Sequence, residues 1–433
     1  MKKLVPQAIK NIYHRFQAVW ANVWYRFPSR KLKVIGVTGT NGKTMTCQMI
    51  SKILEENGHK VAMASTINFK IGKKEWVNDT KFTTFSSRAL QKFLRQTADA
   101  KCEYVIVEVT SHALDQNRVF GVDFSVAVLT NITREHLDYH GTMEKYAKAK
   151  EKLFGKLGRE GKFGKSVSVI NLNSDFAEEF LKYPAGEKYG YFLEGQKSKV
   201  KSQSHNLKVK NVIAKNIKLE INHSQFSILN SQFRINIPGE FNVENALAAT
   251  CVGLSQGIGL QKISEALAKI KGVPGRMERI ENSREITIIV DYAVTPDSLE
   301  KLYEYVGGLR KENAKVIAVF GSCGERDRGK RPIMGEVVAK IADYAIVANE
   351  DPYGEDPQQI IDEVFEGVKK YKEENKDAWR ILDRREAIKK ALEIARAGDI
   401  VVVTGKGAEE TMAVRDERIP WNDPRIIREV LSG

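Results

Sequence analysis

The 433-residue chain carries 69 Lys and Arg against 55 Asp and Glu, a net charge of +14, and 42% of its residues are hydrophobic. The length suggests about two or three globular domains, and no apolar run reaches the roughly 20 residues of a membrane-spanning helix. Its four cysteines lack disulfide-framework or zinc-site spacing, which is typical of a reducing, cytoplasmic compartment. A basic chain suits anionic lipid or phosphorylated partners, and without a nucleic-acid motif we expect no nucleic acid.

The first predicted element is a short amphipathic helix over residues 6–27, within an N-terminal segment 1–30. Residues 1–33 contain basic but no acidic side chains. Two interpretations are open: residues 1–28 make a peripheral contact with the inner face of an anionic membrane, or the helix packs on its own domain or on a partner. One apolar, aromatic-rich stripe runs along this helix: Ile9, Ile12, Tyr13, Phe16, Val19, Trp20, Val23, Trp24 and Phe27.

A phosphate-binding loop is predicted at GVTGTNGKT, residues 36–44. The strand Lys33–Val37 leads into it and a helix over Met45–Glu56 follows, an arrangement that points backbone N–H groups at a polyphosphate. Lys43 would contact the terminal phosphates, and the Thr44 hydroxyl would bind Mg²⁺. The first Gly of the strict consensus is missing, so a Gly-rich turn that only begins a helix is the alternative.

Two later strands end in polar side chains that suit the same site. The strand from Tyr104 ends at Glu108, and a carboxylate at that position is a common Mg²⁺ partner, although it could also cap the next turn. The next strand is followed by Asn131 and His136, and a helix over Thr142–Phe154 carries Lys150. The order of these elements is more specific than any one of them.

These blocks resemble the Mur ligases, the ATP-dependent ligases of peptidoglycan synthesis, and most closely the MurE type, which adds the third residue of the stem peptide. The resemblance extends from Lys31 to the C-terminus. The matching stretches are GTNGKT (39–44), EVTSHALDQNR (108–118), TNITREHLDYHG (130–141), YAKAKEKLF (146–154), GEFNVENALAA (239–249), GRME (275–278), DYAVTPDSL (291–299), GSCGERDRGKRP (321–332), EDPYGEDP (350–357) and GKGAEE (405–410).

The resemblance implies an α/β protein with a central P-loop ATPase domain over 31–274, built on a mixed, mostly parallel sheet, and a C-terminal Rossmann-like α/β domain over 275–433. Alternating patterns at Asn211–Ile221 and Phe226–Ile237 predict a small antiparallel annex within the first domain. The second domain is predicted to be an open α/β sheet. Its expected strands are Thr287–Val290, Val316–Phe320, Tyr344–Ala348 and Ile400–Thr404.

The resemblance also implies a role for each matching residue. The catalytic set would be Lys43, Glu108, His136 and Lys150. Mg²⁺ would be bound by Thr44, Glu108, His136 and Lys150, with Lys150 carbamylated because a carbamate is anionic where an ammonium would repel the metal. ATP would contact Gly39, Thr40, Asn41, Gly42, Lys43, Thr44, Thr46, Asn131, Asn245, Arg276 and Asp291. Substrates would contact Thr83, Thr84, Thr110, Arg118, Arg326, Asp351, Tyr353 and Glu409.

The implied reaction joins a muramyl-peptide acceptor to an amino acid at the expense of ATP. The acceptor carboxylate attacks the γ-phosphate and gives an acyl phosphate and ADP. The amine of the amino acid then displaces phosphate and forms an amide. Charge neutralisation would favour the first step, and closure of the C-terminal domain would favour the second. We expect a monomer.

The chain departs from the family pattern at four places. Only about 30 residues precede the ATPase domain, so we expect the N-terminal domain that holds uridine nucleotide to be absent. Val294 and Ala408 stand where His is common. Asp351 and Tyr353 replace the Asn and Arg of enzymes that select diaminopimelate. An acid in place of an amide favours a cationic side-chain end, so lysine or another diamine is the expected amino acid.

Three functions stay open at this point. The first is a MurE-type ligase that adds a diamine. The second is a Mur-like ligase that acts on a non-UDP substrate, either a lipid-linked intermediate or a poly-γ-glutamate-like polymer. The third is a non-catalytic, nucleotide-dependent membrane-bound module or subunit. The presence of every residue of the expected catalytic set disfavours the third, because a module without catalysis has no chemical need of them.

Overall fold

The protein is described by a computed structural model over residues 7–78, 80, 83–158, 160–196, 200 and 208–432. These residues divide into two compact units. The first comprises the described parts of 1–133, 140–236 and 240–271, and the second comprises those of 134–139, 237–239 and 272–433. The boundaries drawn from the sequence at 30/31 and 274/275 stay predictions. Residues 1–6, the first part of the predicted membrane contact, lie outside the described residues.

Helices and strands are numbered in chain order. The helices up to Lys271 are α1 (Gln7–Trp24), α2 (Lys43–Glu56), α3 (Ser87–Asp99), α4 (Ser111–Asp115), α5 (Leu137–His140), α6 (Met143–Phe154), α7 (Ala177–Leu181), α8 (Glu240–Ser255) and α9 (Leu260–Ala268). The strands are β1 (Lys33–Thr38), β2 (Val61–Ala64), β3 (Asn68–Ile71), β4 (Lys74–Val77), β5 (Tyr104–Glu108), β6 (Phe124–Leu129), β7 (Glu160–Gly161), β8 (Gly164–Lys165), β9 (Val167–Asn171), β10 (Glu187–Leu193), β11 (Val209–Leu219), β12 (Ser224–Ile228) and β13 (Ser231–Ile235).

The first unit is built on a large sheet with the strand order β13-β12-β11-β10-β9-β6-β1-β5-β2-β3-β4. The seven strands from β11 to β2 run parallel, and antiparallel pairs extend both edges. The prediction of a mixed, mostly parallel α/β sheet is therefore confirmed. Strand β1 lies in the middle with parallel neighbours on both sides. The loop after it emerges at the carboxyl edge, where open α/β sheets bind ligands.

Complete burial explains the apolar runs of the central strands. All side chains of β5 are buried, and those of β1 are buried after Lys33. Strands covered on both faces lose the polar alternation of half-exposed strands. Glu108, at the end of β5, is a buried acid in these two strands, and its side chain needs partners inside the protein.

The antiparallel strands predicted near residues 211–237 are present within the first unit as β11, β12 and β13, at one edge of its main sheet. Strand β11 pairs parallel with β10 and antiparallel with β12, so the ribbon continues the main sheet. Phe226 and Phe233 stack across β12 and β13 with ring centroids 5.2 Å apart. Alternation predicts a strand, but it does not reveal which strand pairs with its far edge.

The N-terminal helix ends sooner than its periodicity predicts. Arg26 and Phe27 have φ of 56° and 50°, the left-handed region that terminates a helix. A 3₁₀ helix over Pro28–Lys31 then leads to β1. Helix α1 packs against α3, so the contact with its own unit is observed. No helix in the described part of the chain has the length and apolar content that a membrane span requires.

The second unit contains helices α10 (Pro296–Leu309), α11 (Arg331–Ile341), α12 (Pro357–Val368), α13 (Arg384–Ile394) and α14 (Asp423–Ser432). Its strands are β14 (Glu278–Ile280), β15 (Thr287–Asp291), β16 (Val316–Phe320), β17 (Tyr344–Ala348), β18 (Ala378–Ile381), β19 (Ile400–Thr404), β20 (Thr411–Val414) and β21 (Glu417–Pro420). The main sheet has the order β14-β15-β19-β16-β17-β18, parallel except for β14. The four predicted strands and the open α/β sheet are confirmed.

A buried ion pair fixes one end of the second unit, and it gives a stability prediction. Both side chains of the Arg384–Asp423 pair are fully buried, with N–O distances of 2.7 and 3.0 Å. Arg384→Met leaves a buried carboxylate without its cation, so we expect the free energy of unfolding to fall by about 3–5 kcal/mol in urea denaturation. The matched control is Arg385→Met, whose pair with Glu429 is about half exposed, and which should cost less than about 1 kcal/mol. Equal losses would contradict the prediction.

Candidate active site

The loop between β1 and α2 has the backbone of a phosphate-binding loop. Gly39 and Gly42 have φ of 149° and 80°, which L side chains rarely adopt. A Cβ at Gly39 would lie 1.8 Å from Thr130 Oγ1, so a larger residue does not fit. Lys43 begins α2, and its ammonium donates to Thr40 O at 2.7 Å. This helix N-terminus and its lysine supply the donors that a polyphosphate requires.

The segment after β6 holds the loop in shape. Asn41 N donates to Asn131 Oδ1 at 2.8 Å, and Thr130 Oγ1 donates to Asn41 O at 2.6 Å. The Thr40 hydroxyl lies 3.1 Å from the Tyr146 hydroxyl on α6. Of the predicted ATP contacts, Asn131 is therefore in direct contact with the loop.

Helix α8 closes the other side of the loop. Asn245 Oδ1 accepts from Thr46 Oγ1 at 3.3 Å, and Asn245 Nδ2 donates to Asn242 Oδ1 at 3.2 Å. A Cβ at Gly42 would come within 2.2 Å of Asn245 Oδ1. The structure thus brings together the predicted residues Thr46 and Asn245, which are far apart in the sequence.

Glu108 meets the loop at the first helical turn of α2. Its Oε2 accepts from Thr44 Oγ1 and from Thr66 N, both at 2.9 Å, and its Oε1 accepts from Thr66 Oγ1 at 3.0 Å. Carboxylate and hydroxyl oxygens are hard donors that fit Mg²⁺. The described residues contain no preassembled group of three or more His, Cys, Asp or Glu side chains. A magnesium ion here would complete its shell with phosphate oxygens and water.

Lys150 is a buried lysine beneath the same loop. Its side chain is 1% exposed, its ammonium donates to Gly39 O at 2.7 Å, and it lies 4.4 Å from the centroid of the Tyr146 ring. Lysine is almost never this buried without a specific reason. Lys150 is therefore not a solvated surface residue, and its role beside the phosphate loop stays a prediction.

The predicted acceptor-binding residues cluster beside Glu108. Thr84 Oγ1 donates to Glu108 O at 2.9 Å and accepts from Thr110 N at 3.0 Å, and Thr66 Oγ1 contacts Thr83 Oγ1 at 3.0 Å. Arg118 Nη1 reaches Thr84 O at 3.5 Å. All four predicted residues, Thr83, Thr84, Thr110 and Arg118, therefore belong to one hydrogen-bonded group around Glu108, at the end of β5.

His136 belongs to the part of the chain that groups with the second unit. It has φ of 56°, and its Nδ1 lies 3.8 Å from Glu135 Oε1. Glu135 also accepts from the buried Lys330 at 3.1 Å, and Lys330 Nζ donates to Val294 O at 2.9 Å. Positive φ at a bulky residue is costly and is common at functional sites. A shared Mg²⁺ site for His136 and Glu108 stays a prediction.

The other predicted nucleotide contacts of the second unit are Arg276 and Asp291. The Arg276 guanidinium lies 4.4 Å from the centroid of the Tyr292 ring. Asp291 Oδ2 accepts from Met277 N at 2.8 Å. Burial raises the pKa of Asp291, and the positive charge of Arg276 opposes that rise. Gly275 has φ of 63°, and a Cβ there would lie 2.0 Å from Ala408 N, which explains the glycine.

The residues predicted to bind the amino acid substrate form a charged cluster in the second unit. Asp351 Oδ1 accepts from Lys406 Nζ at 2.8 Å and from Ala413 N at 2.7 Å, and Lys406 also bonds Glu409. Burial alone lowers the pKa of Lys406, but Glu409 and Asp351 outweigh it, and the pKa rises. Lys406 partly neutralises Asp351, and contact of Asp351 with a substrate cation stays a prediction.

Arg326 and Tyr353 lie next to each other in that unit. The exposed Arg326 guanidinium is 5.5 Å from the centroid of the Tyr353 ring. Burial, assisted by Asp351, raises the pKa of Tyr353 to about 12, so its hydroxyl stays protonated at neutral pH. Tyr353 has φ of 50°, and its N–H donates to Ala413 O at 3.2 Å.

Three residues that the structure places among these contacts were missed in the sequence: Thr66 in the first unit, and Lys330 and Lys406 in the second. Thr66 makes two hydrogen bonds to Glu108, but it follows a short strand that no motif marks. Lys330 and Lys406 lie inside matching stretches, GSCGERDRGKRP and GKGAEE. Their place in these stretches was a signal that both lysines could belong to a functional region. Only the structure shows that they are buried in ion pairs.

His140 gives a pH-dependent stability prediction. Burial, together with Lys150 and Lys152 and against Asp115, lowers the pKa of His140 to about 4. Its Nε2 lies 3.0 Å from Ser111 Oγ. Because the unfolded state has the ordinary pKa of about 6.5, stability is complete above that pH and falls between about pH 6.5 and 4. Between about pH 7.5 and pH 5, the free energy of unfolding of the wild type, measured with urea, should therefore fall by about 2 kcal/mol more than that of His140→Asn.

The reference for His140→Asn is the wild type, unfolded with urea over the same pH range. A parallel loss of stability in the wild type and in His140→Asn would show that other groups cause the acid sensitivity.

Two family models match the chain. The model described as the Mur ligase middle domain matches residues 37–253, and the model described as the Mur ligase, glutamate ligase domain matches residues 275–407. A UDP-N-acetylmuramoyl-L-alanyl-D-glutamate–2,6-diaminopimelate ligase of Syntrophomonas wolfei is 37% identical over 421 residues, which cover 96% of this chain and 81% of the relative. A UDP-N-acetylmuramyl-tripeptide synthetase of Roseiflexus sp. is 37% identical over 426 residues, 95% of this chain and 81% of the relative.

Solved structures give the same result for the fold. A UDP-N-acetylmuramoyl-L-alanyl-D-glutamate–2,6-diaminopimelate ligase superposes with a TM-score of 0.59 at 32% identity, covering 93% of this chain and 78% of the other. A folylpolyglutamate synthase of Mycobacterium tuberculosis, complexed with ADP and AMPPCP, has a TM-score of 0.68 at 15% identity, covering 91% of this chain and 96% of the other. The second likeness concerns the fold alone.

Proposed function

Because this chain belongs to the Mur ligase family of ATP-dependent amide-forming ligases, as its motifs predicted, we propose that it joins a UDP-muramyl-dipeptide acceptor to a diamino acid. The observation that carries the proposal is the contact of Thr44 with Glu108 at 2.9 Å, beside the phosphate loop and the threonine cluster. This contact supports the proposal because the residues assigned to magnesium and phosphate lie beside those assigned to the acceptor.

The residues of the first unit divide the work of the first step. Lys43 and the N-terminus of α2 bind and neutralise the phosphates of ATP. Thr83, Thr84, Thr110 and Arg118 bind the acceptor, and the Arg118 guanidinium suits one of its carboxylates. Thr44 and Glu108 would hold a magnesium ion, which would supply charge neutralisation for the transferring phosphoryl group. The acceptor carboxylate oxygen attacks phosphorus, ADP leaves, and the acyl phosphate remains.

The second step forms the amide. The neutral amine of the amino acid attacks the acyl carbon, phosphate leaves with the C–O bond electrons, and the amine loses a proton. Arg326 is exposed in the second unit and is suited to the α-carboxylate of the amino acid. Holding both reactants supplies most of the advantage over solution, because the amine then attacks without a diffusional search.

The amino acid proposed is one with a cationic side-chain end, such as lysine or ornithine. Asp351, Glu409 and Lys406 together carry a net charge of −1, and Glu409 is the more exposed acid of the cluster, with 21% of its side chain accessible against 5% for Asp351. Tyr353 offers a hydroxyl rather than a guanidinium to the distal end. The Syntrophomonas relative is described as a diaminopimelate ligase, and this cluster is the reason for proposing a different amino acid here.

Lys150 is proposed to be carbamylated. The addition of CO₂ would convert its buried ammonium into an anion beside the phosphate loop, where it could bind magnesium. The proposal predicts that protein freed of CO₂ loses ligase activity and regains it with bicarbonate, and that ¹³C-bicarbonate gives a carbamate NMR signal that Lys150→Met lacks.

The test of the function is phosphate release by the purified protein with ATP, Mg²⁺ and UDP-muramyl-L-Ala-D-Glu, across lysine, ornithine and meso-diaminopimelate, with the product mass measured in parallel. A tripeptide product with lysine or ornithine supports the whole proposal. Turnover with meso-diaminopimelate alone would refute the amino-acid assignment and keep the ligase. Bound ATP without any tripeptide product would refute the acceptor and favour a non-UDP acceptor. We expect this reaction in the cytoplasm and from a monomer.

A further inference from the structure

The apolar stripe of α1 points away from the unit that carries the helix. Ile12, Phe16 and Trp24 are 70%, 76% and 65% exposed. A helix on the surface of a globular protein normally turns its apolar face inward, so α1 is packed the opposite way round. The other exposed members of the stripe are Tyr13, Val19, Trp20, Val23 and Phe27.

The opposite face of α1 holds the helix in place. Ala18 and Ala21 are fully buried, and Asn22 Nδ2 donates to Gly121 O at 2.7 Å. A Cβ at Gly121 would lie 1.7 Å from Asn22 Nδ2, so helix and loop meet at backbone distance. Asn11 Nδ2 donates to Asp115 Oδ2 at 3.3 Å. The small and polar face is therefore the docking face, and the unit presents the apolar stripe to its surroundings.

The chemistry around the stripe is basic. Arg15, Arg26, Arg30 and Lys31 are exposed, and residues 1–33 contain no acidic side chain. Arg30 has an ion pair of 3.7 Å with Asp123 in which both side chains are more than 60% exposed, so this pair is weak. The Trp20 and Trp24 rings stack with centroids 5.1 Å apart. Tryptophan between apolar and aqueous phases is favoured at lipid interfaces.

We propose that α1 binds the protein to the surface of an anionic lipid bilayer. The helix, about 27 Å long, would lie in the interfacial plane, with its apolar stripe among the upper acyl chains. Arg15, and Arg26 and Arg30 just after the helix, would lie at the phosphate level. Apolar area and attraction to anionic lipid act together in such binding. The proposal concerns location and is independent of the proposed ligase reaction.

A second copy of the chain is the competing occupant, and charge disfavours it. A two-fold contact sets a patch against itself. Arg15, Arg26 and Lys31 would then face the same cations, and no acid within residues 1–33 would pair with them. Like charges across an interface cost affinity, whereas an anionic bilayer complements them.

The experiment is co-sedimentation of the full chain with large vesicles of phosphatidylglycerol and phosphatidylcholine, and with vesicles of phosphatidylcholine alone. We expect binding to the anionic vesicles, a blue shift of tryptophan fluorescence, and weakening in high salt. Phe16→Glu and Trp20→Glu should each reduce the partition coefficient about 10- to 100-fold. Arg26→Gln and Lys31→Gln should each reduce it about fivefold.

The matched control is Leu229→Glu, which adds the same charge at a residue 82% exposed on the turn between β12 and β13. It should bind vesicles as the wild type does, and all these variants should keep their melting temperature. Failure of the wild type to bind anionic vesicles, or equal binding by Phe16→Glu and the wild type, would overturn the proposal. A dimer in light scattering that Trp20→Glu disperses, without vesicle binding, would assign the stripe to a second copy.

Discussion

Replacing Lys43 by Met should reduce ATP-dependent amide formation at least about 10²- to 10³-fold, the usual cost of removing one donor that stabilises transition-state charge. Two anions, the acceptor carboxylate and the γ-phosphate, must approach each other in the first step. Lys43 begins α2 at the phosphate loop, so its ammonium adds to the positive end of the helix. The rate of phosphate release at saturating substrates, with the product mass as a check, measures the effect.

The matched control is Lys52→Met on the same helix. Lys52 forms an i,i+4 pair with Glu56 near the far end of α2, where its loss should cost under about 1 kcal/mol of stability and leave the rate unchanged. Unchanged melting of Lys43→Met would exclude a folding defect. A rate within threefold of the wild type would contradict the role of Lys43 in catalysis, even if the variant still binds ATP.

Much of the fold was predictable because local pattern and burial agree. The strand at Val316–Phe320 is rich in β-branched residues and fully buried, and its predicted bounds equal the observed ones. The helix at Thr142–Phe154 was located to within one residue, because Thr142 is its N-cap and its side chain accepts from Lys145 N. Strand partners were not predictable. Whether β11 continues a sheet or starts another depends on which strand pairs with its far edge. The alternating pattern of β11 itself does not predict that partner.

The same limit applies to α1. Its periodicity predicts the apolar stripe, but it does not predict which surface, if any, packs against that stripe. The hydrogen bond from Asn22 to Gly121 spans 99 positions in the chain. Only tertiary contacts of this kind decide which face turns inward, and here the small and polar face does so.

For the candidate site, motif order located the residues but did not reveal their partners. Thr44 and Glu108 were assigned separately to magnesium, and the structure places them in contact. Asp351 shows the opposite case: read alone, it is a carboxylate for a cationic substrate. Lys406, which is 55 positions away, partly neutralises it. The charge that such a cluster presents is therefore a sum over several residues, and a sequence does not give that sum before folding.

This sum gives the second large prediction. The net charge of Asp351, Glu409 and Lys406 is −1. Asp351→Asn brings it to zero, and Tyr353→Arg adds a cation, so the double variant D351N/Y353R carries +1. We expect the ratio of kcat/KM for lysine over meso-diaminopimelate to fall about 10²- to 10⁴-fold. Like charges now meet at the lysine ammonium, and a guanidinium can bind the distal carboxylate of diaminopimelate.

The backbone should tolerate this exchange. Tyr353 is held by main-chain hydrogen bonds to residues 413 and 415, which do not depend on its side chain. Lys406 keeps Glu409 as a partner when Asp351 becomes an amide. Tyr371→Arg is the control, since it adds the same charge to an exposed tyrosine on the turn after α12 and should leave the ratio unchanged. If the double variant melts normally and keeps the wild-type ratio, the cluster does not select the amino acid. A ratio that changes with Asp351→Asn alone would assign the selection to net charge, and one that changes only with Tyr353→Arg would assign it to the carboxylate clamp.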